Sequence, residues 1–299
     1  MTTAAPLPAD GTSATRVPET PPARIGILYH PKKPESLVLA EEMAEHLGDC
    51  DCSVWTGDAW DEPEALAHVA DLDLLITLGG DGTILRAARL GSENGVPVLG
   101  VKLGRVSFLA EVPPDQWQVP LDKLLAGEYW IEERMLLDVS LSRAAAPDED
   151  HGYLALNDVV ISRGGLARLI NVRTWVDDSY LTTYRADGVI VATPTGCTGY
   201  ALAAGGPILP PELRNILLLP ICPHLSLDRP VVLSEGATVS FQVEADHPPI
   251  LTVDGQFEIA LTAGDRVVVK ASPHVSRFAH VEDRDYFYRT LMERLRWKV

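Results

Sequence analysis

The sequence has no long hydrophobic run, and this absence excludes an ordinary membrane-spanning helix. Apolar stretches such as ILLLPIC, residues 216–222, have the length of a core strand and fall short of the roughly 18 residues that a bilayer requires. Of the 299 residues, 46% are hydrophobic and 22% are charged, a balance typical of a globular protein. We therefore expect two ordinary domains with a sizeable core, and no membrane partner.

Positive charge is also scarce. Lys and Arg number 25 against 42 Asp and Glu, which gives a formal net charge of −17. A surface of this sign repels nucleic acid and anionic lipid. We predict no nucleic-acid partner, although a local pocket can still bind an anion.

Cysteine is scarce too, with only Cys50, Cys52, Cys197 and Cys222. The first two are too close together for a zinc knuckle, and no second pair has metal-ligand spacing. We predict free thiols in a cytoplasmic enzyme and no metal site built from protein side chains alone. The N-terminus lacks the basic start and apolar stretch of a secretory signal, and residues 1–23, which are rich in Pro, Thr and Ala, are predicted to be a disordered tail.

Two patterns divide the rest of the chain. In residues 24–115, predicted strands at 24–30, 52–55, 72–76 and 97–101 alternate with predicted helices at 34–47, 62–69 and 84–90, which favours a parallel α/β layer. Residues 116–272 contain many short runs that alternate with period two, which is typical of a β-sandwich. Residues 273–299 are predicted to be a C-terminal segment, with a helix within 283–297, that packs on the first domain.

A glycine turn, Gly79-Gly80-Asp81-Gly82-Thr83, follows the third of these strands. Glycines let backbone N–H groups approach a phosphate, and the N-terminus of the next helix, which we expect Thr83 to cap, favours an anion. No Lys-Ser/Thr pair follows, so the turn is not a Walker loop, and GxGxxG, HRD and DFG are all absent. Asp81 could accept a proton from an alcohol that attacks phosphorus, or it could be a local hydrogen-bond acceptor in a tight turn. These five residues alone leave both interpretations open.

A longer polar stretch occupies residues 182–207, in which a strand-like GVIVAT opens into PTGCTGY. Its hydroxyls, glycines and aromatic ring suit a planar ligand with ribose and phosphate groups. Asp187 could bond to a ribose or an amide, and Arg185 could meet a phosphate. Any single threonine is explained as well by a capped turn, but their occurrence together favours a ligand site.

A polar pair, Asn157-Asp158, stands inside the apolar run YLALNDVVIS, residues 153–162, which we predict to be a single strand. Burying such groups is costly unless they find partners. The pair either bonds to local backbone or faces a ligand.

Five motifs occur in a fixed order: GGDGT, LND, DGVIVATPTGCTGYALAAGGP, PICPH and VDGQ. Together they resemble the NAD kinase family across nearly the whole chain after residue 23. GGDGT alone is shared with diacylglycerol-type lipid kinases and phosphofructokinases, whereas TPTGxTxY…AGGP is far more specific. The resemblance implies a Rossmann-like N-terminal α/β domain and a C-terminal, NAD-binding β-sandwich domain.

The same resemblance implies an activity, which is phosphorylation of the adenosine ribose 2′-hydroxyl of NAD to give NADP. ATP or polyphosphate would be the donor, and a divalent metal ion, Mg²⁺ above all, would be bound mainly through the nucleotide phosphates. The family also implies a homodimer or homotetramer that shares sites between subunits.

Residue roles follow from the resemblance as well. Asp81 matches the catalytic aspartate, and Asn157 and Asp158 match the pair that contacts the dinucleotide. The other implied nucleotide-binding positions are Gly79, Gly80, Gly82, Thr83, Arg86, Phe108, Arg168, Arg185, Asp187, Thr195, Thr198, Gly199, Tyr200, Ala201, Leu202, Ala203 and Gln256. The chain departs from the family pattern at Cys197, where serine is usual, and at Ser107, where glycine is common.

Two alternatives remain at this point. A lipid kinase of the diacylglycerol or sphingoid type would need a basic or apolar docking surface, which the net charge disfavours. A non-catalytic NAD(P) sensor would need the pocket but not Asp81.

Overall fold

The computed structural model describes residues 20–104, 107–165, 169–244, 247–284 and 286–295, which form sixteen strands and six α-helices. The strands are β1 Arg24–Tyr29, β2 Ser53–Asp58, β3 Leu74–Gly79, β4 Val98–Lys102, β5 Trp130–Arg143, β6 Ala146–Ala155, β7 Asp158–Arg163, β8 Ile170–Val176, β9 Ser179–Ala186, β10 Gly188–Ala192, β11 Asn215–Ile221, β12 Val231–Ser234, β13 Thr238–Glu244, β14 Pro249–Val253, β15 Phe257–Ala260 and β16 Arg266–His280. The helices are α1 Pro34–Asp49, α2 Glu62–Val69, α3 Asp81–Ser92, α4 Gln118–Leu125, α5 Tyr200–Ala203 and α6 Tyr286–Leu295, and a short 3₁₀ helix spans Gly196–Thr198.

The first part of the chain is a parallel α/β layer, with strand order β2-β1-β3-β4. Every residue of β3 is buried, because helices cover both faces of the sheet. Leu74 and Ile76 pack in the cluster that contains residues of α1, whereas Leu75 packs with residues of α2 and α3. The predicted helices at 34–47 and 62–69 are confirmed within two residues at each end.

The start of α3 differs from the prediction. The helix begins at Asp81 with Gly80 as its N-cap, so the expectation that Thr83 caps it is wrong. The carbonyl of Gly80 accepts hydrogen bonds from the N–H groups of Thr83 and Ile84, which starts the helix directly after β3. The glycine turn is therefore shorter than the sequence suggested, and Asp81 and Gly82 lie in the first helical turn.

Strand β16 joins the two parts of the molecule. It pairs with β5 along most of its length and with β13 over residues 266–270, and Phe278 near its end pairs with Val98 of β4. The parallel layer thus continues into a ten-stranded sheet. A second, six-stranded sheet has the order β12-β11-β10-β7-β14-β15.

The two sheets enclose the larger core of the C-terminal part. Fully buried side chains from both sheets fill it, among them Phe241 and Tyr184 from the first sheet and Val191 and Leu218 from the second. The architecture confirms the predicted combination of an α/β domain with a β-sandwich.

The predicted single strand at 153–162 is wrong, because the chain changes sheets within it. Strand β6 ends at Ala155 and pairs with β5 in the first sheet, whereas β7 starts at Asp158 and pairs with β10 and β14 in the second. The amides between them bond to a side chain instead of a neighbouring strand. Asn157 therefore lies at the crossing from one sheet to the other.

The C-terminal helix α6 places Phe287 beside Phe108 and Leu109, which follow β4. Within the described ranges, no helix combines the length and the apolar character that crossing a membrane requires.

Candidate active site

The glycine turn lies at the carboxyl end of β3, the edge of a parallel sheet where ligands usually bind. Space is tight at its first residue, because a β-carbon on Gly79 would lie 2.2 Å from the hydroxyl oxygen of Thr83. Glycine at this position lets α3 start immediately beside the strand. The backbone N–H groups of Asp81 and Gly82, the first two residues of α3, have no partners within the helix, so they form an anion-binding end.

The carboxylate of Asp81 holds the loop that follows β4. The hydroxyl of Ser107 donates to Oδ1, and the N–H of Phe108 donates to Oδ2 at 3.1 Å. The Leu109 N–H also reaches Oδ1, at 3.4 Å. Asp81 is thus a local hydrogen-bond acceptor, one of the two roles that the sequence left open. Because the residue is only half-buried, its carboxylate stays accessible to a substrate as well.

The loop that Asp81 holds meets the polar stretch of the second domain. Phe108 and Leu109 line a small cavity together with Thr195 and Thr198. Arg134, Pro194, Pro211 and Phe287 complete its wall. Residues 193–198 form what we call the threonine turn. A single loop, which Asp81 holds, therefore connects Asp81 of the first domain with the threonine turn of the second.

The threonine turn packs directly on the Asn157-Asp158 pair. A β-carbon on Gly196 would lie 2.0 Å from the carbonyl oxygen of Asn157, so only glycine permits this approach. The Thr193 N–H donates to the same carbonyl at 2.9 Å. A β-carbon on Gly199 would lie 3.7 Å from Oδ2 of Asp158. The structure thus brings the second and third predicted motifs into one site.

Three consecutive amides at this crossing bond to one carboxylate. Asp254 Oδ2 accepts from the N–H of Leu156 at 2.8 Å, and Oδ1 accepts from Asn157 at 2.7 Å and from Asp158 at 3.0 Å. The side-chain Oδ1 of Asn157 and the hydroxyl of Thr195 are buried and have no hydrogen-bond partner in the structure. Buried polar atoms without partners are costly and uncommon, so these two mark a place where a polar ligand fits.

Two carboxylates, Asp158 and Asp254, lie close together in this buried region. Burial and the charge of Asp254 raise the pKa of Asp158 to about 7. Burial also raises the pKa of Asp254, although its three amide donors oppose the shift. Because those donors stabilise the ionised form of Asp254, we place the proton on Asp158 near neutral pH.

The residues of α5 divide between core and surface. Ala201 is fully buried in a cluster with Val160 and Ile190, so it anchors the helix. Tyr200 is 48% exposed, which leaves its ring available to a ligand. Leu202 and Ala203 are half-buried and exposed, respectively.

Asp187 is separated from this site within one chain by the length of β10, and Arg185 belongs to the preceding strand β9. Ala192, at the end of β10, pairs with Asp158, whereas Asp187 directly precedes the other end of the strand. Five residues of extended strand separate the two ends by about 17 Å, at about 3.4 Å per residue. Asp187 instead forms an ion pair with Arg163, at 3.2 Å.

The remaining predicted residues have other partners. The guanidinium of Arg86 lies over the ring of Trp60 at 5.0 Å, and burial lowers its pKa. Gln256 donates to the carbonyl of Gly82. Arg168 lies outside the described residues.

The sequence interpretation missed several residues that the structure places here. Asp254 belongs to the VDGQ motif, from which the resemblance implied a role only for Gln256. The ammonium of Lys33, which follows β1, contacts the carbonyl of Leu103 at 2.5 Å, and the Leu103 N–H donates to the carbonyl of Gly79 at 2.8 Å. Its position after a parallel strand was the available signal, since the carboxyl ends of β1, β3 and β4 meet at one edge.

Comparison with known proteins covers both parts of the chain. Residues 25–129 match the family model of the ATP-NAD kinase N-terminal domain, and residues 156–281 match that of the ATP-NAD kinase C-terminal domain. An NAD kinase of Chloroflexus aurantiacus is 44% identical over 273 residues, which cover 91% of this chain and 98% of that protein. An NAD kinase of Citrifermentans bemidjiense is 40% identical over 286 residues, with 92% and 98% covered.

Solved structures with the same fold include yeast NADH kinase in complex with NADH, with a TM-score of 0.84 and 25% identity over 94% of this chain and 89% of that one. An NAD kinase from Archaeoglobus fulgidus in complex with ATP gives a TM-score of 0.73 and 28% identity, over 91% and 98% of the two chains. These matches confirm the resemblance drawn from the motifs: the chain belongs to the NAD kinase family.

Proposed function

We propose that this chain transfers the terminal phosphoryl group of ATP to the adenosine ribose 2′-hydroxyl of NAD, giving NADP and ADP. One observation carries the proposal: the loop held by the Asp81 carboxylate lines the same cavity as Thr195, whose buried hydroxyl has no partner. A phosphate-binding turn and a polar dinucleotide pocket thus adjoin each other. Relatives that are 37–44% identical over most of the chain are NAD kinases, which supports this reaction.

In the proposed mechanism, Asp81 takes the proton from the 2′-hydroxyl while that oxygen attacks the γ-phosphorus. The bond between the γ-phosphorus and its bridging oxygen breaks, and ADP leaves with the electron pair. The first N–H groups of α3, next to Gly80 and Gly82, hold the phosphates. Such a transfer needs little from the protein beyond positioning and neutralisation of charge.

The dinucleotide would occupy the threonine turn and the crossing between the sheets. Asn157 and Thr195 offer buried polar atoms to it, and Asp158 lies beside Gly199. Thr198 and Phe108 line the small cavity next to this crossing. The exposed ring of Tyr200 extends this surface.

A divalent metal, Mg²⁺ above all, is part of the proposal. Mg²⁺ usually binds through one or two carboxylates together with substrate phosphates. The described residues contain no group of three or more His, Cys, Asp or Glu side chains that could hold a metal. We therefore assign the ion mainly to the nucleotide phosphates, where it would neutralise their charge.

We further propose a homodimer or homotetramer located in the cytoplasm, where the four cysteines remain thiols. Asp187 lies about 17 Å from Asp158 along β10, at about 3.4 Å per residue, and Arg185 belongs to the preceding strand β9. In the proposed assembly, a second copy of the chain brings its own Arg185 and Asp187 to the dinucleotide.

The test is NADP formation from NAD, coupled to an NADP-specific dehydrogenase. Parallel reactions contain ATP, inorganic polyphosphate, or ATP with a chelator in excess over Mg²⁺. We expect activity with ATP that the chelator abolishes, and the polyphosphate reaction identifies the donor range. NAD binding without NADP formation from either donor would instead indicate a sensor.

The lipid-kinase alternative finds no support among the relatives, which are NAD kinases along nearly their full length. Sedimentation with liposomes gives a direct check. A lipid kinase would sediment with them, and we expect this protein to remain in the supernatant.

A further inference from the structure

The short turn between β14 and β15 touches both halves of the site. We propose that Asp254-Gly255-Gln256 is a positioning element, which sets the dinucleotide-binding pair against the glycine turn, and that Gln256 acts through Gly82 rather than by contact with a nucleotide. This proposal rests on the proposed kinase function and assigns it two positioning residues.

The first contact is with the Asn157-Asp158 crossing. The Asp254 carboxylate accepts the amides of Leu156, Asn157 and Asp158, and the Asp254 N–H donates to the carbonyl of Asp158 at 2.9 Å. Leu156 and Asn157 follow the end of β6, so their amides do not pair with a strand of the first sheet. The carboxylate of Asp254 replaces that missing strand partner. The backbone position of the pair therefore follows the position of the turn.

The second contact is with the glycine turn. The side-chain N–H of Gln256 donates to the carbonyl of Gly82 at 3.0 Å, one residue after Asp81. Its oxygen accepts from the guanidinium of Arg89 at 2.8 Å. Both ends of this amide are thus bonded to α3, the helix that begins with the proposed base.

Arg89 is itself restrained, so it holds Gln256 firmly. Its other nitrogen lies 2.9 Å from a carboxylate oxygen of Glu62 on α2. Its guanidinium also lies over the ring of Phe257, at 4.7 Å from the centroid. The amide of Gln256 is therefore oriented from both sides, and its two polar groups are already used within the protein.

The turn between these contacts is short and well defined. Val253 pairs with Phe257 on either side of it, and Gln256 N–H donates to the carbonyl of Val253 at 2.9 Å. Asp254 and Gly255 have φ angles of 51° and 62°, the left-handed region that tight hairpins use. A three-residue turn of this kind transmits a displacement from one end to the other.

Phosphoryl transfer depends strongly on such a distance. Reacting atoms must lie about 3–3.5 Å apart, and a misplacement of about 1 Å can cost about 100-fold in rate. Loosening the turn should therefore lower kcat, while the pocket that binds NAD stays assembled.

The experiment compares Gln256→Met and Gln256→Glu with Gln242→Met, a control at a half-buried glutamine of β13. The methionine variant keeps the length of the side chain and loses both hydrogen bonds. The glutamate variant can still accept from Arg89 but cannot donate to the Gly82 carbonyl. We measure kcat and KM for NADP formation, the Kd for NAD by calorimetry, and the unfolding midpoint in urea.

We expect kcat to fall about 10- to 100-fold in both Gln256 variants, with the Kd for NAD changed less than twofold and the control unaffected. Asp254→Asn, which loses one amide acceptor, should instead change both kcat and the Kd for NAD. An unaltered kcat in the Gln256 variants would overturn the proposal. A loss of NAD affinity as large as the loss of kcat would also overturn it, because it would show that Gln256 contacts NAD directly. A wild-type protein that makes no NADP would overturn the proposed function itself.

Discussion

The hydroxyl of Ser107 donates a hydrogen bond to the carboxylate of Asp81, which begins α3. Ser107 is buried, and its oxygen also accepts the N–H of Ala110 at 2.8 Å. This one side chain therefore bonds both to the start of the helix and to its own loop. It connects the loop after β4 to the proposed catalytic base.

Replacing Ser107 with alanine should destabilise the protein. The variant loses the hydrogen bond from the hydroxyl to the carboxylate of Asp81, and a hydrogen bond to a charged group contributes about 1.5–3 kcal/mol. We expect a fall of that size in the free energy of unfolding, measured by urea denaturation, and no change in Ser179→Ala, at an exposed strand end. Equal stability of Ser107→Ala and wild type would show that the loop is held by other contacts.

Asp81→Asn tests the proposed base directly. The amide cannot take up the 2′-hydroxyl proton, and loss of a general base typically lowers the rate about 10²–10⁴-fold. We expect kcat for NADP formation to fall by that amount while the Kd for NAD stays within a few-fold. Asp178→Asn, on the exposed turn between β8 and β9, serves as the control. Full activity of Asp81→Asn would reduce this carboxylate to its local role of holding residues 107–109.

Asp158 should make stability depend on pH. Its pKa is raised in the folded protein to about 7, so the stability that its protonated form contributes is complete below the unfolded value of about 3.8 and is lost as the pH rises through about 7. Asp158→Asn is neutral at every pH. We expect the variant to be more stable than wild type at pH 8, by up to about 4 kcal/mol, and the difference to shrink toward pH 4.

The measurement for Asp158 is urea unfolding of both proteins at pH 4, 6 and 8. Comparison with wild type removes the contributions of groups that titrate equally in both. A difference that stays constant with pH would contradict the raised pKa.

The sequence predicted the elements of this fold far better than its contacts. Strand β3 and helices α1 and α2 follow from local periodicity, because each buries a regular set of apolar residues. The motif order also indicated which segments form the site. The predicted start of α3 was wrong because threonine is a residue type that commonly caps helices. In the structure, Thr83 lies inside the first turn of α3 and packs closely against Gly79.

Contacts between distant segments could not be read in this way. Asp254 bonds to the N–H of Leu156, 98 residues away, and Gln256 bonds to Gly82, 174 residues away. Nothing local distinguishes an aspartate that binds backbone amides from one that faces solvent. The break at Asn157 has the same origin, since the apolar run continues through it and only the three-dimensional pairing divides it.

A buried charge cluster beside the junction of the two domains was also invisible in the sequence. His280 lies between two carboxylates, with Nδ1 2.5 Å from Glu111 and Nε2 3.0 Å from Glu132. Glu132 also pairs with Arg134 at 2.7 Å. The members come from the loop after β4 and from β5 and β16, the strand that joins the parallel layer to the sandwich.

The pKa values in this cluster shift in opposite directions. Burial alone would lower the pKa of His280, but its hydrogen bonds to Glu111 and Glu132 raise it above the ordinary value. Burial alone would raise the pKa of Glu132, but Arg134 and His280 lower it to about 2. The charged forms of His280 and Glu132 are thus favoured together.

His280 should therefore limit stability on the alkaline side. A histidine with a raised pKa contributes stability that is complete below its unfolded value of about 6.5 and is lost as the pH rises through the folded value. Glu132 contributes stability above about pH 4.5 and loses that contribution as the pH falls through about 2, so the cluster stabilises the protein most between about pH 4.5 and 6.5.

His280→Gln leaves the carboxylates without this cation, and breaking a buried pair costs about 3–5 kcal/mol. In urea unfolding we expect the free energy of unfolding of His280→Gln to fall by that amount at pH 6 and by less at pH 9. The exposed control His247→Gln should show no loss. An equal loss at both pH values would mean that His280 acts by packing against Trp130 rather than by its charge.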